Sequence, residues 1–265
     1  MRAAALLLPL CLCGAAAVKF DAETREFASS NRAFVLKADY SARGGWGPAR
    51  LELRTAAGKK VSSFVADSPP FTAAVSGDGR RFIFFCGAWG QAVSIYTLNV
   101  HAASGELLAT HKLEMSGPAG EDFSADYSVY AVGANQGDKR VILALETTGG
   151  KALWRAEFKE NLAGLKLSPS GDRLLAVFRL DGASRAAVFD RKGKALGSVT
   201  VKTGNALVPR GFTAGGAGFE LWEEATIYDE KDGYWHAKLL KKRYYALTPS
   251  GVKETEVKEV NEYLK

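Results

Sequence analysis

The residue types that most often carry chemistry are sparse in this chain. Its three histidines, His101, His111 and His236, are not at metal-ligand spacing from each other, from a cysteine or from a carboxylate pair. The sequence has no Gly-x-Ser-x-Gly to mark a serine nucleophile and no complete calcium loop. We therefore expect no metal, no cofactor and no catalytic residue, which favours a non-enzymatic role.

The cysteines do not change this expectation. Cys11 and Cys13 belong to an apolar N-terminal run, and Cys86 directly follows the apolar residues Phe82–Phe85. A free cysteine in such a setting behaves as a small hydrophobic residue, so Cys86 is predicted to be buried in the core.

Two tryptophans are the first candidates for a binding role. Trp46 lies in the glycine-rich stretch 41–48 and Trp89 in the stretch 87–90. Exposed indoles give a large contact area at little entropic cost, so they suit a sugar ring or a partner protein. The alternative, which the sequence leaves open, is that both indoles fold back onto the core.

Further polar and aromatic candidates lie in three later stretches. Asn135 and Gln136 belong to the predicted loop 133–138, and Asp181 to the predicted loop 179–184. The longest excursion, 223–238, passes from acidic through aromatic to basic residues. We interpret it as a lid or docking loop, or else as a long self-shielding hairpin. Its candidate residues are Tyr228, Tyr234, Trp235 and His236.

A repeated turn shows how these stretches are positioned. Two apolar residues seven apart enclose a small or hydroxyl residue and a short polar turn, five times at intervals of about 45 residues. The five copies are FASSNRAF (27–34), VSGDGRRF (75–82), FSADYSVY (123–130), LSPSGDRL (167–174) and FTAGGAGF (212–219).

A second signal runs in step with the first. In each unit a glycine separates two β-rich runs and is predicted to supply the positive φ of a hairpin turn. These glycines are Gly58, Gly105, Gly150, Gly193 and Gly251. Each unit therefore reads as four antiparallel strands, of which the second is nearly continuously apolar and buried on both faces.

Sheets of this length bury both faces only when they are stacked, which a β-propeller does radially. The motifs SPSGD and VFDRKGK resemble the repeats of bacterial WD40-like and TolB-type propellers, although the Trp-Asp pair of WD40 repeats is missing. The prediction is an all-β, five-bladed β-propeller in a single domain, 18–265. Its blades span approximately 24–66, 71–114, 119–158, 163–202 and 208–259.

The sequence leaves the closure of the propeller ring open. The ring closes only if the last blade meets the first, and an open stack of β-sheets is the alternative.

Five-bladed propellers include glycosidases, which need two carboxylates across the channel. The candidate pair is Glu26 with Glu121 or Asp122, which lie near the innermost strands. Local ion pairs or hydration also explain the presence of these acidic residues.

The N-terminus resembles a secretory signal peptide. Arg2 precedes an apolar run over 3–13, which is too short to span a membrane, and small residues at 15–17 suit cleavage after Ala17. We expect residues 1–17 to be removed and the protein to be periplasmic or extracellular. Lipid anchoring through Cys11 or Cys13 is the minor alternative.

Composition and charge complete the functional expectation. The net charge of +6 is modest and dispersed, apart from the cluster 238–243, and no nucleic-acid-binding module is recognisable. We expect an exported binding or scaffolding module that engages a protein partner through one loop face. Carbohydrate or other small-molecule binding, or glycoside hydrolysis at the central channel, is the alternative.

Overall fold

The computed structural model of the chain describes residues 24–40, 48–67, 70–87, 95–114, 118–136, 138–229 and 233–264. These residues form five antiparallel sheets, each of four strands that are neighbours in both sequence and space. The predicted all-β, five-bladed β-propeller is confirmed.

The strands of the first three sheets have the following bounds. Sheet 1 contains β1 (Thr24–Ala28), β2 (Phe34–Asp39), β3 (Ala49–Thr55) and β4 (Lys60–Ala66). Sheet 2 contains β5 (Pro70–Val75), β6 (Arg81–Gly87), β7 (Ile95–Ala102) and β8 (Leu107–Glu114). Sheet 3 contains β9 (Pro118–Phe123), β10 (Val129–Gln136), β11 (Lys139–Glu146) and β12 (Ala152–Phe158).

The last two sheets differ in length. Sheet 4 contains β13 (Asn161–Leu167), β14 (Arg173–Leu180), β15 (Ala183–Asp190) and β16 (Ala195–Lys202). Sheet 5 contains β17 (Ala206–Phe212), β18 (Gly218–Asp229), β19 (Tyr234–Thr248) and β20 (Gly251–Tyr263), and a 3-10 turn, Ala214–Gly216, lies between β17 and β18. The long last three strands of sheet 5 are its distinguishing feature.

Alternation along the second strands explains how the sheets stack. Phe82 and Phe84 of β6 pack towards sheet 1, while Ile83 and Phe85 pack towards sheet 3. The described residues form four such apolar clusters, shared by sheets 1 and 2, 2 and 3, 3 and 4, and 4 and 5. The predicted burial on both faces is confirmed for β6, β10 and β14, whereas one face of β2 and of β18 is only partly buried. Cys86 is buried as expected.

The turn between the first and second strand of each sheet has one geometry throughout. The N–H of its fourth residue donates to the carbonyl of its first, and that fourth residue has positive φ. The fourth residues are Arg32 (57°), Gly79 (67°), Tyr127 (58°), Gly171 (67°) and Gly216 (70°). We call these segments the anchor turns.

A buried serine holds four of the five anchor turns. The hydroxyl of Ser124, for example, accepts from the Val129 N–H at 3.0 Å and donates to Asp126 at 2.6 Å. Ser29, Ser76 and Ser168 make equivalent bonds, whereas Thr213 in the fifth turn has no side-chain cap.

Alignment of these serines shows that the frame predicted for the first copy of the repeat has to be changed. Its last paired residues are Ala28 and Val35, equivalent to Val75 and Phe82 in the second copy, so the predicted frame 27–34 was wrong by one residue. The five predicted hairpin glycines, in contrast, are confirmed with φ between 69° and 121°. Anchor turns and glycine hairpins occupy one end of the sheets, which leaves the other end to the remaining loops.

Candidate functional site

The predicted site residues of sheets 1 to 4 lie in or beside the stretches between the second and third strand of each sheet, and their settings differ. Trp46 and Trp89 lie outside the described residues. Asn135 and Gln136 lie in β10 and pair with β11, so the predicted loop 133–138 was too long. Asp181 is exposed in a two-residue turn with Gly182 (φ 63°), which allows the strands to continue almost to the tip.

The stretch 223–238 is not a loop but a continuation of β18 and β19. Their pairing runs unbroken to Asp229 opposite Tyr234, apart from one bulge between Glu223 and Glu224. The stretch is therefore a hairpin, although its exposed rings show that it is not a self-shielding one. Alternating β-formers in this stretch favour strands, a signal that its charged residues obscured.

This hairpin extends beyond the rest of its sheet. Pairing of β17 with β18 stops at Glu224, and pairing of β20 with β19 stops at Lys238. We call residues 225–229 and 234–237 the aromatic ribbon. Among the described residues, 225–229 and 234–236 pair with no third strand, and Ala237 accepts one last bond from the Leu264 N–H at 2.9 Å. At the rise of a β-strand the ribbon projects about 15 Å.

One face of the aromatic ribbon carries two large rings. Residues opposite each other in an antiparallel ladder share a face, so Tyr228 and Trp235 lie together with Thr226 and Ala237. The two ring centroids are 5.3 Å apart with a tilt of 57°, and the side chains are 49% and 68% exposed. We call this the Trp235 face.

The opposite face continues onto the end of β20. Tyr234, His236 and Lys238 alternate along β19, and Tyr263 pairs with Lys238. The rings of His236 and Tyr263 meet edge to face at 6.0 Å, and Lys238 Nζ lies 5.3 Å from the centre of the Tyr263 ring. Tyr234 and Tyr263 are 69% and 53% exposed. We call this the Tyr263 face.

A buried charged network anchors the base of the ribbon. Glu223 accepts two bonds from Arg243, from Nε at 3.0 Å and from Nη2 at 2.7 Å, and further bonds from Thr203 and Asn205. Burial alone would raise the pKa of Glu223, but these hydrogen bonds and the guanidinium charge outweigh it and hold the pKa below its usual value.

The same network reaches the edge strand. Arg243 also bonds Glu254 of β20 at 3.1 Å, and the Tyr245 hydroxyl donates to the same carboxylate. Three strands of sheet 5 and the segment 203–205 are therefore held together where the ribbon begins. Sequence patterns did not reveal these residues, because Glu223 and Arg243 lie twenty positions apart with no motif between them.

Trp222 lies on the face of sheet 5 opposite the apolar cluster that this sheet shares with sheet 4. The Arg210 guanidinium lies 3.5 Å from its ring centre and Lys242 Nζ 5.0 Å from it. The indole N–H donates to Glu220. These local partners half-bury the ring and satisfy its only donor, so Trp222 is a packed part of the sheet surface.

The acidic residues of the hydrolase alternative each have local partners. Glu26 pairs with Lys37 at 3.8 Å. Asp122 pairs with Lys166 at 3.3 Å and accepts the Leu167 N–H at 2.9 Å. Glu121 accepts from the buried Tyr130 hydroxyl. Burial raises the pKa values of Glu121 and Asp122, more than these partners lower them.

Among the residues that the structure describes, no group of three or more His, Cys, Asp or Glu side chains could hold a metal ion. Within the same residues no helix is long and apolar enough to cross a membrane.

Comparison with known proteins supports the architecture. No protein-family model and no curated protein matches the sequence. The fold is similar to the hydrazine synthase of Kuenenia stuttgartiensis, with a TM-score of 0.53 and 14% identity over 90% of this chain and 67% of that chain. It is also similar to the Dos1 propeller, with a TM-score of 0.54 and 11% identity over 90% of this chain and 60% of that one.

At these identities the similarity shows the fold alone. A WD40 domain, that of Toxoplasma gondii coronin, is matched with a TM-score of 0.45 and 9% identity over 89% of this chain and 70% of that domain. This chain thus spans 60–70% of the length of the three structures. The predicted resemblance is confirmed at the level of the propeller architecture, and the chain is a β-propeller.

Proposed function

We propose that this protein is an exported, non-enzymatic binding propeller that engages a protein partner through its loop face. The aromatic ribbon is the observation that carries the proposal. It places Tyr228, Tyr234 and Trp235 in solvent, and the base network of Glu223 and Arg243 holds it in place. Exposed aromatic residues on a rigid scaffold are typical of binding surfaces.

The ribbon favours a protein over a sugar ring. A sugar stacks on a flat aromatic platform, whereas the rings of Tyr228 and Trp235 are tilted by 57° to each other. An irregular protein surface fits such a pair more readily. Trp46, Trp89, Asn135, Gln136 and Asp181 belong to the proposed loop face as a second group of contact residues.

A deletion variant tests the role of the ribbon. Replacing 226–237 with Asn-Gly joins Ala225 to Lys238 through a two-residue hairpin turn that keeps the sheet paired. Co-purification from the native host after cross-linking should retain the partner with the wild-type protein and lose it with the deletion. Leu107→Ser, which removes an exposed apolar side chain from sheet 2, is the matched control and should retain it.

Export has a separate test. The signal peptide predicts a mature N-terminus at Val18 and a location outside the cytoplasm. Cell fractionation with N-terminal sequencing checks both. Full-length protein in the cytoplasmic fraction would contradict export, and a lipid-modified Cys11 or Cys13 would replace periplasmic release with anchoring.

A further inference from the structure

The two faces of the aromatic ribbon are both open, and both carry exposed rings. Tyr228 and Trp235 lie on the Trp235 face, and Tyr234 and Tyr263 lie on the Tyr263 face. An ordinary edge hairpin packs one face on its sheet and exposes the other. A two-stranded ribbon with rings on both faces therefore presents two contact surfaces at once.

The partner is not expected to bind by pairing a strand of its own with the edge strand β20. The exposed part of this edge strand alternates lysine with glutamate, as in Lys253-Glu254 and Lys258-Glu259. Two register shifts interrupt its pairing with β19, and Asn261 at one of them has a φ of 66°. Charges and bulges are the devices that keep edge strands from pairing with other chains. Recognition is left to the side chains of the ribbon.

The exposed area of the rings also favours contacts on both faces of the ribbon. A buried aromatic side chain contributes about 150–250 Å², so the exposed fractions of the four rings amount to about 500 Å², divided nearly equally between the faces. A stable interface buries about 800 Å² on each partner. One face supplies about a third of that area, and both faces together supply more than half.

The faces differ in charge, which specifies the two surfaces that cover them. The Trp235 face of the ribbon carries only Thr226, Tyr228, Trp235 and Ala237 and is uncharged. The Tyr263 face carries Tyr234, His236 and Lys238, and the register places Ile227 and Asp229 on the same face. The Lys238 ammonium stacks on Tyr263, and no ion pair joins it to a carboxylate of a described residue. A partner carboxylate opposite Lys238 would complete this face.

We infer that the aromatic ribbon inserts into a cleft of a second, different protein. One wall of this cleft is apolar and covers Tyr228 and Trp235, and the other carries a carboxylate that meets Lys238. This inference rests on the proposed function, since it describes how the same ribbon holds its partner. The competing explanations are a protein that docks on one face only, a lipid surface, and a second copy of this chain.

Photo-cross-linking from the two faces tests the cleft in the native host. We would place p-benzoylphenylalanine at position 228 in one variant and at position 234 in another, each in the full chain. Insertion predicts that both variants form adducts with the same protein, on separate segments of it. Adducts from one position only, with two unrelated proteins, with lipid, or with a second copy would overturn the cleft.

The same experiment separates failure of the cleft from failure of the proposed function. A protein adduct from one position alone would contradict the cleft but would still support a ribbon that binds a protein. Absence of adducts from both positions, with folded protein confirmed by thermal unfolding, removes both proposals.

Binding measurements with the protein identified by the adducts give the second arm. Tyr228→Ser with Trp235→Ser, and separately Tyr234→Ser with Tyr263→Ser, should each weaken binding at least tenfold. Lys238→Glu should weaken it more than Lys238→Gln, and the Leu107→Ser control should stay within twofold. Loss confined to one of the double variants, or equal effects of the two Lys238 variants, would contradict the two-walled cleft.

Discussion

Glu223 and Arg243 form a doubly hydrogen-bonded ion pair with separations of 2.7 and 3.0 Å at the point where the hairpin leaves sheet 5. Only 3% of Glu223 is exposed to solvent. A buried ion pair adds little net stability compared with an apolar pair of the same size, but breaking it leaves a charge without its partner. Loss of one partner should therefore cost more stability than the intact pair contributes.

Arg243→Met should lower the free energy of unfolding by about 3–5 kcal/mol, because the Glu223 carboxylate stays buried without its cation. Lys139→Met removes an exposed pair with Glu157 and should cost less than about 1 kcal/mol. Denaturant unfolding at pH 7 measures both.

The cost of Arg243→Met should also depend on pH. The folded pKa of Glu223 lies below its unfolded value, so its contribution is complete above the unfolded pKa and is lost as pH falls through the folded pKa. The difference between wild type and variant should shrink in that acidic range. A difference that stays constant from pH 7 to pH 3 would show that the ion pair is not its cause.

Ser124→Ala should lower the free energy of unfolding by about 1–3 kcal/mol, because the buried Val129 N–H loses its acceptor. Thr213→Ala at the equivalent place in the fifth anchor turn is the matched control. Thr213 is exposed and has no side-chain cap, so this change should cost less than about 0.5 kcal/mol. Equal costs at the two positions in thermal or denaturant unfolding would refute the role of the serine hydroxyl.

Glu121→Gln should stabilise the protein at pH 8 and have little effect at pH 4. Burial raises the pKa of Glu121 above its unfolded value, so its contribution is complete below the unfolded pKa and is lost as pH rises through the folded pKa. Glutamine keeps an acceptor for the Tyr130 hydroxyl and never takes up the buried charge. Thermal unfolding of both proteins at the two pH values provides the measurement.

Glu26→Gln serves as the control for this pH dependence, because Glu26 is exposed beside Lys37. Its effect on stability should be small at both pH values. If Glu121→Gln gave the same shift in melting temperature at pH 4 and pH 8, the burial of the Glu121 carboxylate would not be the cause.

The sequence predicted the repeat well because its signals are local. Gly105 and Gly193 mark hairpins, since only glycine adopts φ of 94° and 80° without strain. The exact frame of a repeat copy was harder to assign where two adjacent residues are both apolar. Phe27 and Phe34 fit the apolar pattern as well as Ala28 and Val35 do, and only the hydrogen bonds of Ser29 distinguish them.

The candidate site was less predictable because its determinants are not local. Tyr228 and Trp235 were recognised as aromatic residues of a long excursion, but their shared face depends on a register that no single residue specifies. Tyr263 was missed altogether. It lies near the end of a charged strand, and only the pairing of β20 with β19 brings it beside Lys238.

The four apolar clusters have a consequence for how the molecule comes apart. Among the residues that the structure describes, sheets 2, 3 and 4 each contribute to two clusters, whereas sheets 1 and 5 each contribute to one. A sheet is stabilised by the neighbours that share an apolar cluster with it, so sheets 1 and 5 should have the lowest opening free energy. Amide protons should therefore exchange earliest in β1–β4 and β17–β20, and the unit that carries the aromatic ribbon would be among the first to detach under load.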